Sequence, residues 1–288
     1  MSCRFITLVC AAALLAPLAL PHDAAAQGRG RPKRAKTTTD QASSTGIAAP
    51  AAGFRQFGSW LDDASAPTPG EGRTGIGVGY WRMSEGSQVN VPMLDAGYGV
   101  SNRLQVSASV PFYRTSFQGT TMRGMDDVYL SAKVTAIDPA ATTRQFGVAV
   151  SPVLEMLSAG GDGGRFHYAI PVSVELRRQP FRAYGSAGYF SRGAFFTGGA
   201  LELGTASGLV FTGAVTHSYS MNEDLASDAV GVSRTRMDVT GGVGYAVTEA
   251  MSGYVSVGRS LTSIDEGGTI AAFSGGMSFR FKAAKHTP

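Results

Sequence analysis

From residue 74 to residue 281 apolar and polar side chains alternate, and this period of two narrows the choice of fold more than any other feature. In RLQVSASVPFY, Leu104, Val106, Ala108, Val110 and Phe112 share one face, and Arg103, Gln105, Ser107, Ser109 and Tyr113 share the other. FHYAIPVSVELR sets Phe166, Tyr168, Ile170, Val172, Val174 and Leu176 against His167, Ser173, Glu175 and Arg177. SRTRMDVTGGVGYAV sets Met237, Val239, Val243, Tyr245 and Val247 against Arg234, Arg236, Asp238 and Thr240. Successive side chains of a strand point to opposite faces, so each segment reads as a strand between two unlike environments.

Twelve such segments run at about 74–83, 89–99, 103–113, 126–136, 145–156, 166–177, 181–191, 194–204, 208–219, 233–246, 250–260 and 269–281. A tilted membrane strand needs about 9–11 residues, whereas strands of soluble proteins cluster near 5–6. These segments have the longer length, which weighs against a secreted β-sandwich. Ser101-Asn102, Arg178-Gln179-Pro180, Thr205-Ala206-Ser207 and Thr248-Glu249 are tight turns. Between them lie longer polar stretches at 114–125, 157–165, 220–232 and 261–268. Short turns at one end and long loops at the other suit an up-and-down barrel that crosses a membrane. The short connection at Arg192-Gly193 and the longer one at 137–144 break that rhythm. Closure matters because lipid offers no hydrogen bonds to an open sheet edge.

Composition fits the same picture. Charged residues are 16% of the 288, glycine supplies 38, hydrophobic residues 43%, and mean hydropathy is only +0.02. A helical membrane protein needs runs of about 20 apolar residues, and no run after the N-terminus is that long. Wholesale disorder is excluded by the apolar content. An average over one apolar and one wet face explains the near-zero hydropathy. Strand glycines such as Gly75, Gly77, Gly79, Gly97, Gly99, Gly241, Gly242 and Gly244 suit curvature and close packing at an inner wall.

The N-terminus reads as an address. Arg4, the apolar stretch from Phe5 to Leu20 and Ala24-Ala25-Ala26 make a secretory signal peptide over 1–26. The only cysteines, Cys3 and Cys10, fall within it, so the mature chain has neither disulfide nor thiolate chemistry. Residues 27–73 form a basic, flexible periplasmic arm, with Arg29, Arg31, Lys33, Arg34 and Lys36 near its start. These five charges exceed the net +4 of the whole chain, which leaves residues 37–288 at −1 once Arg4 and Asp23 cancel. Basicity is thus a property of the arm, which on an exported chain reads as a solvated tail that keeps the nascent chain soluble or, where it binds, as a partner of an anionic lipid or cell-wall surface rather than of nucleic acid. Phe54, Phe57, Trp60 and Leu61 are spaced as one face of a short helix over 54–63, a docking segment or a plug for the barrel. The barrel follows over 74–281, and 282–288 is a tail.

Two resemblances add to this reading. Ser274, Gly276, Phe279 and Phe281 in SGGMSFRF resemble the C-terminal assembly signal of bacterial outer-membrane barrels, although seven residues follow Phe281. Residues 95–135 resemble the outer-membrane family known as MetA-pathway of phenol degradation. The residues that carry the likeness are Tyr98-Gly99, Arg103, Pro111-Phe112, Gly124-Met125-Asp126-Asp127, Leu130 and Lys133, with Asp126 where that family has a second glycine. The resemblance implies a barrel that passes small, often hydrophobic or aromatic, molecules. It also implies the outer membrane of a Gram-negative-type bacterium, with the bilayer, lipopolysaccharide and the outer-membrane assembly machinery as partners.

Strand parity points Asp95, Asp127, Lys133, Glu155, Glu175, Arg182, Glu202, Arg234, Arg236, Asp238 and Arg280 inward. Their near balance of sign suggests charges paired across a narrow interior rather than a one-sign selectivity ring. Asp127, Lys133, Glu175, Arg182, Glu202, Arg234, Arg236 and Asp238 are the candidate constriction. Tyr80, Tyr98, Phe112, Phe146, Phe166, Phe181, Tyr189, Phe279 and Phe281 suit interfacial girdles. No catalytic, metal or cofactor residues stand out in the sequence. His167 and His217 are scattered, Tyr219 stands where a barrel hydrolase would need a serine, GIGVGY opens no helix, and GGDGGR lacks the Lys-Ser/Thr of a phosphate loop. The reading is a passive channel or transporter for small molecules. The alternative is a non-conducting structural or adhesion barrel that presents loops 114–125 and 220–232.

Overall fold

The computed structural model describes residues 61–84, 86–117, 119–140, 145–161, 164–191, 193–221, 235–262 and 269–282. Residues 1–60, which hold the stretch read as a signal peptide and most of the arm read over 27–73 with Phe54, Phe57 and Trp60, lie outside them, as do Arg234 and His286; the rest of the arm is described, and its last three residues belong to the first strand.

The chain forms β1 (Glu71–Met83), β2 (Gly86–Gly99), β3 (Leu104–Phe117), β4 (Thr120–Met125), β5 (Val128–Ile137), β6 (Phe146–Val150) and β7 (Val153–Gly161). It continues through β8 (Gly164–Arg178), β9 (Phe181–Phe190), β10 (Ala194–Gly204), β11 (Leu209–Ser220), β12 (Thr235–Ala246), β13 (Met251–Ser260) and β14 (Thr269–Lys282). Every pairing is antiparallel, and β1 closes on β14 through a register from Glu71↔Lys282 to Met83↔Thr269. β4 and β5 both pair with β3 and are one strand broken at Asp126-Asp127. β6 and β7 both pair with β5 and β8 and are one strand broken at Ser151-Pro152. A proline lacks the N–H that the ladder needs, which accounts for the second break. Fourteen segments therefore make a closed barrel of twelve staves, with no helix among the described residues.

The burial pattern is that of a soluble protein turned inside out. Phe166, Tyr168, Ile170, Val172, Val174 and Leu176 of β8 are exposed, while Ser173 and Glu175 between them are buried. Lys133, Glu155, Glu202 and Asp238 are buried in the same way on other strands. An apolar exterior of this extent has no place in water and matches the hydrocarbon of a bilayer. The outer aromatics fall into two belts. Tyr98, Phe146, Phe181, Phe211, Tyr245, Phe279 and Phe281 ring the end where the chain enters at Glu71; Tyr80, Phe112, Phe166, Tyr189, Phe195, Tyr219 and Phe273 ring the other. On β2, β3 and β5 the small residues Ala96, Ala108 and Ala132 thin the outer wall into a shallow apolar groove of about 820 Å³.

Two expected loops are instead strand. The stretch 114–125 is the tip of the β3–β4 hairpin, with Phe117↔Thr120 as its last pair, and 157–165 falls largely within β7 and β8. Polar residues there gave no alternation to read, because strands that rise beyond the bilayer have water on both faces. Between β9 and β10 the Gly193 N–H donates to the Phe190 carbonyl at 2.9 Å.

Candidate functional site

The site starts before the first strand. Leading back from Glu71, residues 70 to 61 turn into the barrel and cross its lumen. At the rim the Gly70 N–H donates to the Gly99 carbonyl, and the Glu71 N–H to the Thr68 carbonyl, each at 2.9 Å. The crossing needs glycine on the wall. A Cβ on Gly99 would stand 2.6 Å from the Thr68 carbonyl oxygen, and one on Gly147 would press against Pro139 and Ala64. Deeper in, Leu61 packs with Tyr184, Ala200 and Ala214 and Ala64 is fully buried. Residues 61–63, the end of the expected helix, are irregular rather than helical. Their backbone is taken up by the barrel wall: the Asp62 N–H donates to Ser186 Oγ, the Ala64 N–H to Glu175 Oε2, and Thr135 Oγ1 donates to the Ala64 carbonyl.

Charge holds the segment in place. Lys133 Nζ on β5 donates to Asp62 Oδ1 at 2.8 Å, to Asp63 Oδ1 at 2.9 Å and to the Ser65 carbonyl at 3.2 Å. Asp63 also pairs with the Arg182 guanidinium on β9, and Ser151 Oγ donates to Asp62 Oδ2. Arg182 reaches Glu175 on β8 at 2.8 Å and Glu202 on β10 at 3.2 Å, and its guanidinium lies 4.9 Å from the centre of the Tyr184 ring. Glu175 in turn accepts from Arg177 at 2.6 Å, and Arg177 donates to Ser65 Oγ. Burial by itself raises the Asp63 carboxyl, but Lys133 and Arg182 beside it hold it well below the usual carboxylate range. The network thus joins four staves to residues 62–65 by charge-assisted hydrogen bonds, with Glu202 of a fifth behind Arg182.

The candidate constriction divides in two. Lys133, Glu175, Arg182 and Glu202 come together around the N-terminal segment. Arg236 and Asp238 pair at 2.8 Å toward the opposite end of the barrel, where Ser260 donates to Asp238 and Arg236 to Thr269. Asp127 sits at the break between β4 and β5, beside a chain of bonds from Thr115 through Gln88 and Asn90 to Asp126. The lumen also holds an apolar patch of Val153, Ala169, Phe190, Ala194 and Phe196 with Tyr129 against it. Arg234 lies outside the described residues. Sequence reasoning missed Asp62, Asp63, Ser65 and Ser151. A signal for the first two was present, because two adjacent acids end the amphipathic stretch 54–61 shortly before an array of strands with inward-facing cations.

Of the assembly-signal residues, Phe279 and Phe281 face outward and Ser274 pairs its hydroxyl with Ser256. Gly276 lies where a Cβ would meet the Ile76 carbonyl oxygen at 2.7 Å. His217 faces outward opposite Thr197 and Met237, and among the described residues no group of histidine, cysteine, aspartate and glutamate is placed to hold a metal.

No known family profile matches the chain, and no curated protein matches it. Solved structures do. An outer membrane channel from Pseudomonas putida F1 superposes with a TM-score of 0.59 at 11% identity, over 76% of this chain and 98% of that one. The NanC porin gives 0.52 at 12% identity over 72% and 98%, and the KdgM porin 0.51 at 10% over 72% and 99%. At these identities the likeness is one of fold.

Proposed function

We propose that this protein is an outer-membrane channel or passive transporter for small molecules, closed at rest by its own residues 61–65. The observation that carries the reading is the segment itself. A purely structural barrel has no need of a strap held in its lumen by ion pairs to Lys133 and Arg182. The barrel geometry shared with a channel and two porins supports the same function. Strands of membrane length with an apolar outside support the bilayer as its site, and the signal peptide read over 1–26 supports export to it. On this reading the end where the chain enters at Glu71 faces the periplasm. The resemblance around 95–135 extends the proposal to hydrophobic or aromatic solutes, which the apolar patch around Phe190 and Phe196 suits. Ser274, Gly276, Phe279 and Phe281 are proposed as the signal read by the assembly machinery, with lipopolysaccharide around the loop end.

The test is conductance in planar bilayers of the refolded mature protein and of Asp62→Ala/Asp63→Ala. The wild type conducts in brief openings and the double variant conducts steadily. If neither passes ions nor swells liposomes in small solutes, the protein is not a channel.

A further inference from the structure

We propose that Lys133, Arg182 and Ser151 form a binding site for small dicarboxylates, which Asp62 and Asp63 occupy as a built-in stand-in for the solute. The inference rests on the channel reading for its meaning but not for its test.

Lys133 stands at the centre of the site. Its side chain is buried, and among the described residues every acceptor on its ammonium belongs to the segment: two carboxylates and one carbonyl. The barrel wall itself gives this lysine no counterion. Arg182 differs, because Glu175 and Glu202 neutralise it from neighbouring strands whether or not the segment is seated. Across the cluster the wall carries three cations, Lys133, Arg177 and Arg182, against two carboxylates, Glu175 and Glu202. It is therefore one positive charge in excess before Asp62 and Asp63 bring their two negative ones. A buried ammonium without a partner is costly, so a wall built this way demands an anion.

Geometry says which anion. Lys133 Nζ bridges one oxygen of each aspartate, at 2.8 and 2.9 Å. Arg182 takes the second oxygen of Asp63, and Ser151 Oγ takes the second oxygen of Asp62 at 3.3 Å. All four carboxylate oxygens thus meet donors from the wall, in an arrangement that reads two carboxylates a few bonds apart. A halide offers one centre and cannot satisfy it. When the segment withdraws, a solute with two carboxylates fits the vacated donors, and its binding also opposes the return of the segment. Loading the channel and holding it open then become one event. The segment is tethered, so it competes at an effective concentration of about millimolar or more, and free solute sees a weakened site in the resting protein.

The probe is succinate, with succinamide and chloride at matched ionic strength as controls. Binding is measured by calorimetry on refolded full-length mature protein in detergent, with heat-modifiable gel mobility as the check on folding. Asp62→Ala/Asp63→Ala binds succinate saturably and does not bind succinamide. Wild type binds it at least about tenfold more weakly, because the tether competes. Adding Ser151→Ala to the double variant removes one hydrogen bond to a charged group and weakens binding about tenfold. Adding Lys133→Met abolishes it. In bilayers, succinate lengthens wild-type openings and chloride does not. The proposal is overturned if the folded double variant shows no saturable succinate binding, or if binding survives both Ser151→Ala and Lys133→Met. Ser151→Ala alone decides should the lysine variant not fold. A barrel that conducts in no variant yet binds succinate refutes the channel reading and leaves the site; one that conducts without binding refutes the site and leaves the channel.

Discussion

Replacing Lys133 with methionine tests the closed state most directly, because the unbranched stem is largely kept while the ammonium, with its charge and its donors, is removed. The ammonium makes three hydrogen bonds to residues 62–65, at 2.8, 2.9 and 3.2 Å. The lysine side chain is 6% exposed, and those of Asp62 and Asp63 are 23% and 26% exposed. Removing one member of a buried ion pair costs about 3–5 kcal/mol. Arg182 still holds Asp63 and Ser151 still holds Asp62, and partial solvation of the two aspartates offsets more of the loss, so about 2–3 kcal/mol is the expected weakening. Each 1.4 kcal/mol is a factor of ten, so the ratio of open to closed time rises by about 30- to 150-fold. Single-channel recording measures that ratio, and Arg236→Met is the control: it breaks an equally close pair at the other end of the barrel, away from the segment. An unchanged open time in Lys133→Met, or an equal rise in Arg236→Met, refutes the view that this cluster holds the lumen shut.

Acid probes the same latch with a definite sign. Asp63 has its carboxyl lowered in the folded barrel, so its contribution is fully present above the ordinary value of 3.8 and fades only as pH falls through the lower folded value. Open time measured against pH therefore stays flat down to the ordinary carboxylate range; opening already at that range contradicts the Lys133 and Arg182 pairing. Gly99→Val puts a side chain where the Thr68 carbonyl passes, so the segment seats poorly and open time rises while heat-modifiable mobility is kept. Val172→Arg places a charge on the outer face at mid-strand and costs about 2–4 kcal/mol in a urea titration of the refolded barrel in lipid. Phe281→Ala lowers the assembled fraction in the outer membrane while refolding in detergent proceeds as in wild type, and equal loss in both settings refutes a signal read by the assembly machinery.

The sequence showed most where one side chain in two meets lipid. β8 and β12 were legible because Phe166 to Leu176 and Met237 to Val247 alternate against charged or hydroxyl residues, and that contrast survives only where the two faces differ. It fades above the membrane, which is why the β3–β4 hairpin reads as loop although Phe117 pairs with Thr120. Parity also places Lys133, Glu175, Arg182 and Glu202 inward, yet it carries no height. Lys133 and Asp238 share an inward face and end at opposite ends of the barrel, because height follows from the stagger of the closed sheet and not from any one strand. The N-terminal segment was legible only as an amphipathic stretch, since its partners are far away in sequence: Asp62 lies 71 residues from Lys133, and Asp63 lies 119 from Arg182.

This distance separates what a barrel's strands encode from what its lumen encodes. The strands need only local alternation and a turn, so within the apolar belt each is specified by its own residues. The lumen is specified by a charge imbalance, one lysine that no wall acid among the described residues meets, and such an imbalance has no meaning until the sheet closes. Closure turns it into a demand for an anion, and the chain meets the demand from its own N-terminal side, with the two acids that stand eight or nine residues before the first strand. Transferring the pair Asp62-Asp63 three residues later, to 65–66, with the total charge conserved, separates the two levels: the barrel still refolds with β-type circular dichroism, while the closed time falls toward that of Asp62→Ala/Asp63→Ala. Failure of the shifted protein to form a barrel would mean that the segment is part of the fold rather than a gate laid into it.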